Sequence, residues 1–303
     1  MDIQYSIRDL ENMSGIKAHT LRIWEQRYNF INPKRTETNI RYYNGNDLKL
    51  ILKVALLNQN GYKISKIAKM SEELMATTII SMQSIPENIN FQITSLTTAM
   101  VDLEEDKFEK IVNNSISHNG FEFTMINLIY PFLQKIGILW LSNSINPAQE
   151  HFISNLVRQK LIIGIEQLKY KKINEAKPHY LLFLPEGELH ELGLLFAHYI
   201  LKAREYRVTY LGASVPTKDA TMVAKLKSID IAFLIMTSFP KKRKMQEFVS
   251  TLSEQMGDFK VMATGSLAQK IDFPLPENFK ILSSVQGLVN LEDNEINEPF
   301  NSK

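Results

Sequence analysis

Cysteine is absent from the 303 residues, which removes disulfides, thiolate metal sites and thiol nucleophiles together. No uninterrupted apolar run reaches the roughly 18 residues of a spanning helix, and no membrane partner is expected. The N-terminus has no basic stretch leading into an apolar core, so nothing reads as a secretory signal, and a cytoplasmic bacterial protein is the expectation. Hydrophobic residues make up 44% and charged residues 22%. That is enough apolar surface to offset the entropy of ordering the chain, which excludes wholesale disorder. The length corresponds to two or three domains.

Charge is unevenly distributed. Residues 1–70 hold twelve Lys/Arg and six Asp/Glu, and the other 233 hold 23 and 27. A compact basic head on a mildly acidic body suits a polyanionic partner, because neutralising phosphates releases counterions. A lysine-rich solvated face would carry the same charge.

In the head (1–75), a short amphipathic run ends near Met13, Ser14-Gly15 turns, and a second helix covers 17–28. The basic stretch 31–43 has few residues to bury and reads as a loop or small β-wing. Asn46-Asp47 is expected to cap a third helix with Leu48, Ile51, Leu52, Ala55 and Leu56 at helical spacing. Gly61-Tyr62 ends it, and Ile64 and Ile67 begin another. Helix, tight turn, helix and basic wing make a winged helix-turn-helix, whose second helix enters the major groove of double-stranded operator DNA. Tyr5-Ser6-Ile7, Ser14-Gly15-Ile16, His19 through Tyr28, Pro33, Arg35-Thr36, Arg41-Tyr42-Tyr43 and Asp47 together resemble the DNA-binding domain of the MerR family of bacterial transcription regulators. On that resemblance His19, Thr20 and Arg22 face bases or phosphates, Arg27 is a further DNA-binding candidate on the same helix, and Arg35, Arg41 and Tyr42 of the wing suit phosphates. Trp24 and Tyr28, four apart, read as core or hinge residues. The long dimerisation helix usual after a MerR head is not evident.

Residues 76–176 show helical periodicity near 91–103, 105–117, 121–141 and 147–171, which predicts a four-helix bundle. Its last connection runs from Trp140 to Glu150-His151. Taken singly, these residues read as a bundle plug, a helix-start carboxylate and a surface histidine.

Residues 177–291 alternate strands and helices. Strands are expected at 180–184, 207–211, 231–236, 260–263 and 279–283, and helices at 188–204, 218–227 and 241–256. Repeated βα units predict a parallel sheet of flavodoxin or Rossmann type, with ligands at the carboxyl ends of its strands. The first strand leads into neither a Gly-x-Gly-x-x-Gly nor a phosphate loop. It leads into Glu188-x-His190-x-x-Gly193. The fold class is therefore multidomain, α and α/β, with an acidic tail at 292–303 expected to be disordered.

Glu188-x-His190-x-x-Gly193, on a small α/β domain behind a helical bundle, resembles the cobalamin-binding modules of corrinoid proteins. The resemblance implies that His190 ligates cobalt from below, Glu188 orients the imidazole, and Gly193 lets a helix start close to the corrin. The segment from Tyr210 through Ser214 and Val215 to Pro216 resembles the matching loop. The family's Ser-x-Leu after the third strand and Gly-Gly after the fourth are replaced by Thr237-Ser238 and Thr264-Gly265, which stand where the nucleotide tail would lie.

Together with the head and the Trp140…Glu150-His151 spacing, the chain resembles the CarH/LitR group of cobalamin-dependent photoreceptor repressors. This implies adenosylcobalamin as chromophore, with Trp140 against its upper group, Glu150 hydrogen-bonded to that group, and His151 taking the upper position after photolysis. It also implies a homo-oligomer, a tetramer in the dark, that holds operator DNA and dissociates in light. The role is that of a sensor and not an enzyme. Two alternatives stay open: a regulator with a degenerate pocket that works without cobalamin, and a corrinoid methyl carrier. The head and Trp140-Glu150-His151 count against the carrier.

Overall fold

A computed structural model describes residues 4–82, 89–142, 144–238 and 244–288. The expected tail at 292–303 and the expected helix start at 241–243 lie outside the described residues. The chain divides into two compact units, Met1–Leu156 and Val157–Lys303.

The first unit opens with α1 (Ile7–Ser14) and α2 (Ala18–Tyr28). Ser6 and Asp9 close a reciprocal capping box at the start of α1, satisfying two amides that the first turn leaves without partners. Gly15, at φ 76°, ends it in the left-handed conformation that glycine adopts without a Cβ penalty. The Glu11 carboxylate then takes the Ala18 amide at 3.0 Å and Lys17 at 3.1 Å, setting the angle between the two helices. β1 (Lys34–Arg35) and β2 (Arg41–Tyr42) pair antiparallel as the wing. Tyr43 bridges back to Tyr5 through both backbone bonds, at 2.8 and 2.9 Å. The next helix, α3 (Gly45–Gln59), is capped by Asn44, with Asp47 as the reciprocal partner. The cap expected at Asn46-Asp47 is corrected accordingly: Asp47 sits three positions into the box, and Asn44 keeps the extended backbone a cap needs.

α4 (Ile64–Ile67) and α5 (Glu72–Met82) complete the head. Its core joins Val54, Leu57, Ile67, Met75 and Ile79 to Phe91, with Trp24 packed against it. Trp24 is thus a packing residue.

The bundle helices are α6 (Ile89–Asp102), α7 (Glu105–Asn119), a long helix Phe121–Leu141, and α10 (Pro147–Gln167), whose course crosses the division between the units. The long helix comprises α8 (Phe121–Thr124), a π turn at Met125–Ile129 and α9 (Tyr130–Leu141). Pro131 has no N–H to give to the carbonyl one turn back, and the π turn immediately before it takes up the mismatch. At 21 residues and mean hydropathy 1.2, Phe121–Leu141 is long and apolar enough by length and composition to cross a membrane. Here it packs against α6, and Phe132, Ile136 and Leu139 are buried.

The head is seated on the bundle. Lys49 of α3 pairs with Asp102 of α6 at 2.6 Å. Ser144, in the α9–α10 connection, donates to the same Asp9 that caps α1. Gln149 hydrogen-bonds the Tyr5 phenol and donates to the Val101 carbonyl at 3.3 Å.

In the second unit, strands β3 (His179–Pro185), β4 (Arg207–Val215), β5 (Ile231–Ile235), β6 (Lys260–Thr264) and β7 (Phe279–Ile281) form one parallel sheet. Their order is β4-β3-β5-β6-β7. That is the flavodoxin-like order, whose switch point lies between β3 and β5. On one face α12 (Thr217–Lys227) and α13 (Met245–Met256) bury Ala220, Ala224, Val249 and Leu252 against Leu181, Phe183, Leu234 and Val261. On the other, α11 (Leu192–Ala203) contacts β3, β4 and β5.

Several expected boundaries move: the helix expected to run to 171 ends at Gln167 and the strand expected at 279–283 ends at Ile281, and two more shift at the head of the sheet. The helix expected from 188 begins at Leu192, leaving 188–191 as a loop. The strand expected to stop at 211 runs on to Val215, through two register shifts against β3. Gly212 (φ 88°) and Ser214 (φ 55°) supply the left-handed backbone those shifts require.

Candidate functional site

The switch point is where the sequence motif falls. Loop 188–191 leaves β3, Thr237-Ser238 leave β5, and the Glu188 side chain joins them. Glu188 is fully buried. One carboxylate oxygen, Oε2, accepts the backbone amides of Thr237 (2.8 Å) and Ser238 (2.7 Å). The other, Oε1, accepts the amides of Leu189 (3.0 Å) and His190 (3.1 Å), the Ser238 hydroxyl (3.2 Å) and His190 Nδ1 (2.5 Å). Burial alone would push this carboxyl up; the bonds from the His190 ring and from the Ser238, Thr237 and His190 amides outweigh it and hold it well below the usual carboxylate range.

A carboxylate only accepts, so the His190 ring donates from Nδ1, and in its neutral form the lone pair lies on Nε2. The His190 side chain is 59% exposed. An exposed imidazole with Nδ1 fixed by a buried carboxylate is the arrangement of a metal-ligating histidine. A single such ligand suits a metal whose other positions a macrocycle already fills, so these residues fit the lower side of a corrinoid.

Two glycines fit as well. A Cβ at Gly193 would come within 2.8 Å of Ile235 Cδ1, and one at Gly265 (φ 112°) within 2.4 Å of the Met236 carbonyl oxygen. At Gly265 the clash is with backbone, so a larger residue would force the loop off the end of β5; at Gly193 the neighbour is the tip of a side chain, which can move aside. Ser214 belongs to the same cluster: its hydroxyl accepts the Gly187 amide at 3.1 Å and its amide donates to the Glu188 carbonyl at 3.1 Å. Val215 pairs with Pro185 at the end of β4. Thr264 is placed differently from Gly265. It is buried, and its hydroxyl donates to the Leu282 carbonyl at 2.9 Å, serving the β6–β7 junction.

The motif does not reveal a second set of residues around the same loop. Glu191 accepts the Tyr210 phenol at 2.8 Å and pairs with Arg158 of α10. Tyr210 stacks on His198, ring centroids 5.0 Å apart. Glu191 lies inside the motif as one of its unspecified positions, but Arg158 stands 33 positions away with no local signal.

In the first unit, Trp140 is 43% exposed at the end of α9. Glu150 accepts the Ser154 hydroxyl at 2.5 Å and holds His151 Nδ1 at 2.8 Å. In the head, His19, Arg22, Arg27 and Arg35 are exposed, and Thr20 and Tyr42 are half-buried. Arg27 lies over the Tyr28 ring, and Arg35 donates to the Asn39 side chain at 2.7 Å. Arg41 is engaged inward: its Nε lies 3.5 Å from Glu25 of α2, which also accepts the Tyr43 phenol at 3.3 Å. Arg41 thereby braces the wing against α2.

Comparison with known proteins adds five findings. Residues 5–74 match the MerR HTH family regulatory protein model, and residues 92–163 match the B12 binding domain model. The second match covers the helical bundle rather than the sheet. The chain is 30% identical over 253 residues to the HTH-type transcriptional repressor CarA of Myxococcus xanthus, covering 82% of this chain and 81% of that protein. It is 26% identical over 256 residues to the repressor CarH of the same organism, covering 82% and 83%. Among solved structures, the Methanosarcina barkeri monomethylamine corrinoid protein aligns over 63% of this chain and 92% of its own, with TM-score 0.50 and 14% identity, a likeness of fold.

Proposed function

The chain belongs to the family of HTH-type transcriptional repressors represented by CarA and CarH, a DNA-binding regulator with a B12-binding domain and not an enzyme, and from that premise we propose that it represses in the dark with adenosylcobalamin bound and releases operator DNA in light. The observation that carries the proposal is the buried Glu188 holding Nδ1 of the exposed His190. When bound, the cofactor supplies visible absorption and a cobalt–carbon bond that light breaks.

The protein's own residues do the rest. His190 would hold the metal through Nε2, with Glu188 fixing the ring; Gly193 and Gly265 would keep the backbone close to the cofactor. Trp140 and Glu150 would contact its light-labile group. Glu150 engages Nδ1 of His151, which leaves Nε2 as the atom His151 would offer as a replacement ligand. In the head, His19, Thr20 and Arg22 read the major groove, Arg27, Arg35 and Tyr42 hold phosphates, and Arg41 sets the wing. Residues 1–75, 76–176 and 177–291 act as head, cap and cofactor domain of a cytoplasmic homo-oligomer, a tetramer in the dark. Loss of partner heads on dissociation lowers the effective concentration at the operator by roughly 10²-fold or more.

A second reading, a regulator that works without cobalamin, draws on Thr264, whose hydroxyl is committed to Leu282, and on the Thr237 and Ser238 amides, which are committed to Glu188. One experiment separates the readings. The protein is mixed with adenosylcobalamin in darkness, desalted and scanned before and after illumination, with size-exclusion elution and operator binding followed in parallel. A retained corrinoid spectrum that changes with light, a fall in size and loss of DNA are expected. His190→Ala, which removes the ligand itself, should weaken retention by at least the roughly 10–100-fold that loss of an outer-shell partner costs. A colourless wild-type protein after desalting overturns the proposal in favour of the second reading.

A further inference from the structure

We propose that Glu191, Arg158 and Tyr210 form a clamp that positions His190, as a second anchor of the ligand loop independent of Glu188. The inference rests on the corrinoid reading of His190.

A histidine side chain is only as well placed as the backbone that carries it. The loop 188–191 is four residues long, and its first anchor is Glu188, bound to the end of β5. The Glu188 backbone is held there too, by the Ser214 amide on its carbonyl at 3.1 Å, so this anchor fixes the start of the loop and leaves its far end to be fixed separately. The far end has its own attachment: Glu191 Oε1 accepts the Tyr210 phenol of β4 at 2.8 Å, and Oε2 pairs with Arg158 of α10. Between the anchors the chain is pulled tight by the Glu191 amide, which donates to the Leu189 carbonyl at 2.8 Å. His190 is the residue enclosed by that turn.

The surroundings of Glu191 are built to receive it. A Cβ at position 212 would lie 3.2 Å from Glu191 Oε1, so the carboxylate sits directly over the β4 backbone where the register shifts. Tyr210 is held by stacking on His198 at an interplanar angle of 16°. Burial and the neighbouring Glu191 push the Tyr210 phenol well above its ordinary pKa, so it stays a donor. Arg158 brings α10 into the same attachment, so the start of the loop is tied to β5 and β4 and its end to β4 and α10. Two anchors on different elements fix both the position and the tilt of the loop, and positioning to within about 0.5 Å is what a ligand site demands.

The test uses the full-length protein with adenosylcobalamin in darkness and, separately, with cobinamide, which lacks the nucleotide base and so reports ligation by His190 without the tail. The variants are Arg158→Met, Glu191→Gln and the conservative Tyr210→Phe. His190→Ala supplies the unligated reference spectrum. The expected result is a corrinoid Kd raised about 10-fold, with a visible spectrum shifted towards that reference. Arg158→Lys should restore part of the shift. Melting temperatures are recorded alongside: a lowered Tm with wild-type spectrum and Kd would make the cluster purely structural and overturn the inference. Amide hydrogen exchange of residues 188–192 in the cofactor-free protein is expected to quicken in each variant, and unchanged exchange also overturns it. Because this last readout needs no corrinoid, failure of the clamp can be told from failure of the corrinoid reading, which would show as no uptake by the wild type.

Discussion

Replacing Glu188 by glutamine keeps the shape of the side chain and removes one acceptor oxygen. In the native arrangement the two oxygens take the Thr237 and Ser238 amides on one side and the Leu189 and His190 amides on the other. A glutamine amide has one oxygen and one NH2 group, so in either orientation two backbone N–H groups face another donor. Hydrogen bonds to a charged group contribute about 1.5–3 kcal/mol each, so the two lost bonds amount to about 3–6 kcal/mol. A neutral amide is cheaper to bury than a carboxylate, which offsets part of this and leaves a net loss of about 3 kcal/mol. For a unit of this size that lowers Tm by roughly 6–12 °C.

The assay has an internal control. The chain has two tryptophans, Trp24 and Trp140, both in the first unit, so tryptophan fluorescence reports that unit, and its urea transition should move less than the circular dichroism transition. The circular dichroism transition of the sheet-containing unit should move to lower urea. The pH dependence has a fixed sign. The Glu188 pKa is depressed on folding, so its contribution is present above the unfolded value of 4.5 and is lost as pH falls below it. The glutamine variant should lack that acid-sensitive component. A stability change under about 0.5 kcal/mol at pH 7 would refute the reasoning, because the six contacts would then carry no net free energy.

Two further expectations concern other parts of the chain. Burial, with Lys202 nearby, pulls His198 down to about 4; stability from its neutral form is complete above about 6.5 and is lost as pH falls towards 4, by up to about 3 kcal/mol. Thermal scans of His198→Phe should show a smaller loss in that window, the remainder coming from His179, which burial also pulls down, and a wild-type Tm flat from pH 7 to 4.5 would contradict this. In the head, Arg35→Ala should lower the slope of log affinity against log salt by about 1, whereas Arg22→Ala should cost about 1–3 kcal/mol and relax preference at one base position. Identical salt slopes for wild type and Arg35→Ala would remove Arg35 from the phosphate contacts.

The features legible in the sequence are local ones. Ser6, Gly15 and the helix spacing of Leu48, Ile51 and Leu52 act within a few residues, and the elements of the head are set by them. The alternation of strands and helices implies the sheet, and Glu188-x-His190 falls at its switch point because a βα unit places its first loop there. The partners of Glu188 are not legible, because Thr237 and Ser238 hold it through backbone amides 49 and 50 positions away, and any non-proline residue has an amide. The extension of β4 is hidden for a related reason. Glycine and serine at 212 and 214 signal a loop by composition, and only pairing with β3 turns their left-handed backbone into bulges. Thr264 looks available by type, yet its hydroxyl is used by a segment later in the chain.

The seating of the head on the bundle has a consequence for how such regulators diversify. Asp9 completes the first helix of the head and also receives Ser144 from the connection between Trp140 and Glu150, while Lys49 reaches Asp102. A recombination that joined a foreign head near residue 75 would bring in new residues at positions 5, 9 and 49 against an unchanged Gln149, Ser144 and Asp102. Asp102 is mostly buried, and without its lysine it would be left as a poorly compensated charge. On the proposed reading, new operator specificities are therefore reached more readily by exchanging the exposed residues of α2 that face the bases, such as His19 and Arg22, than by shuffling whole heads.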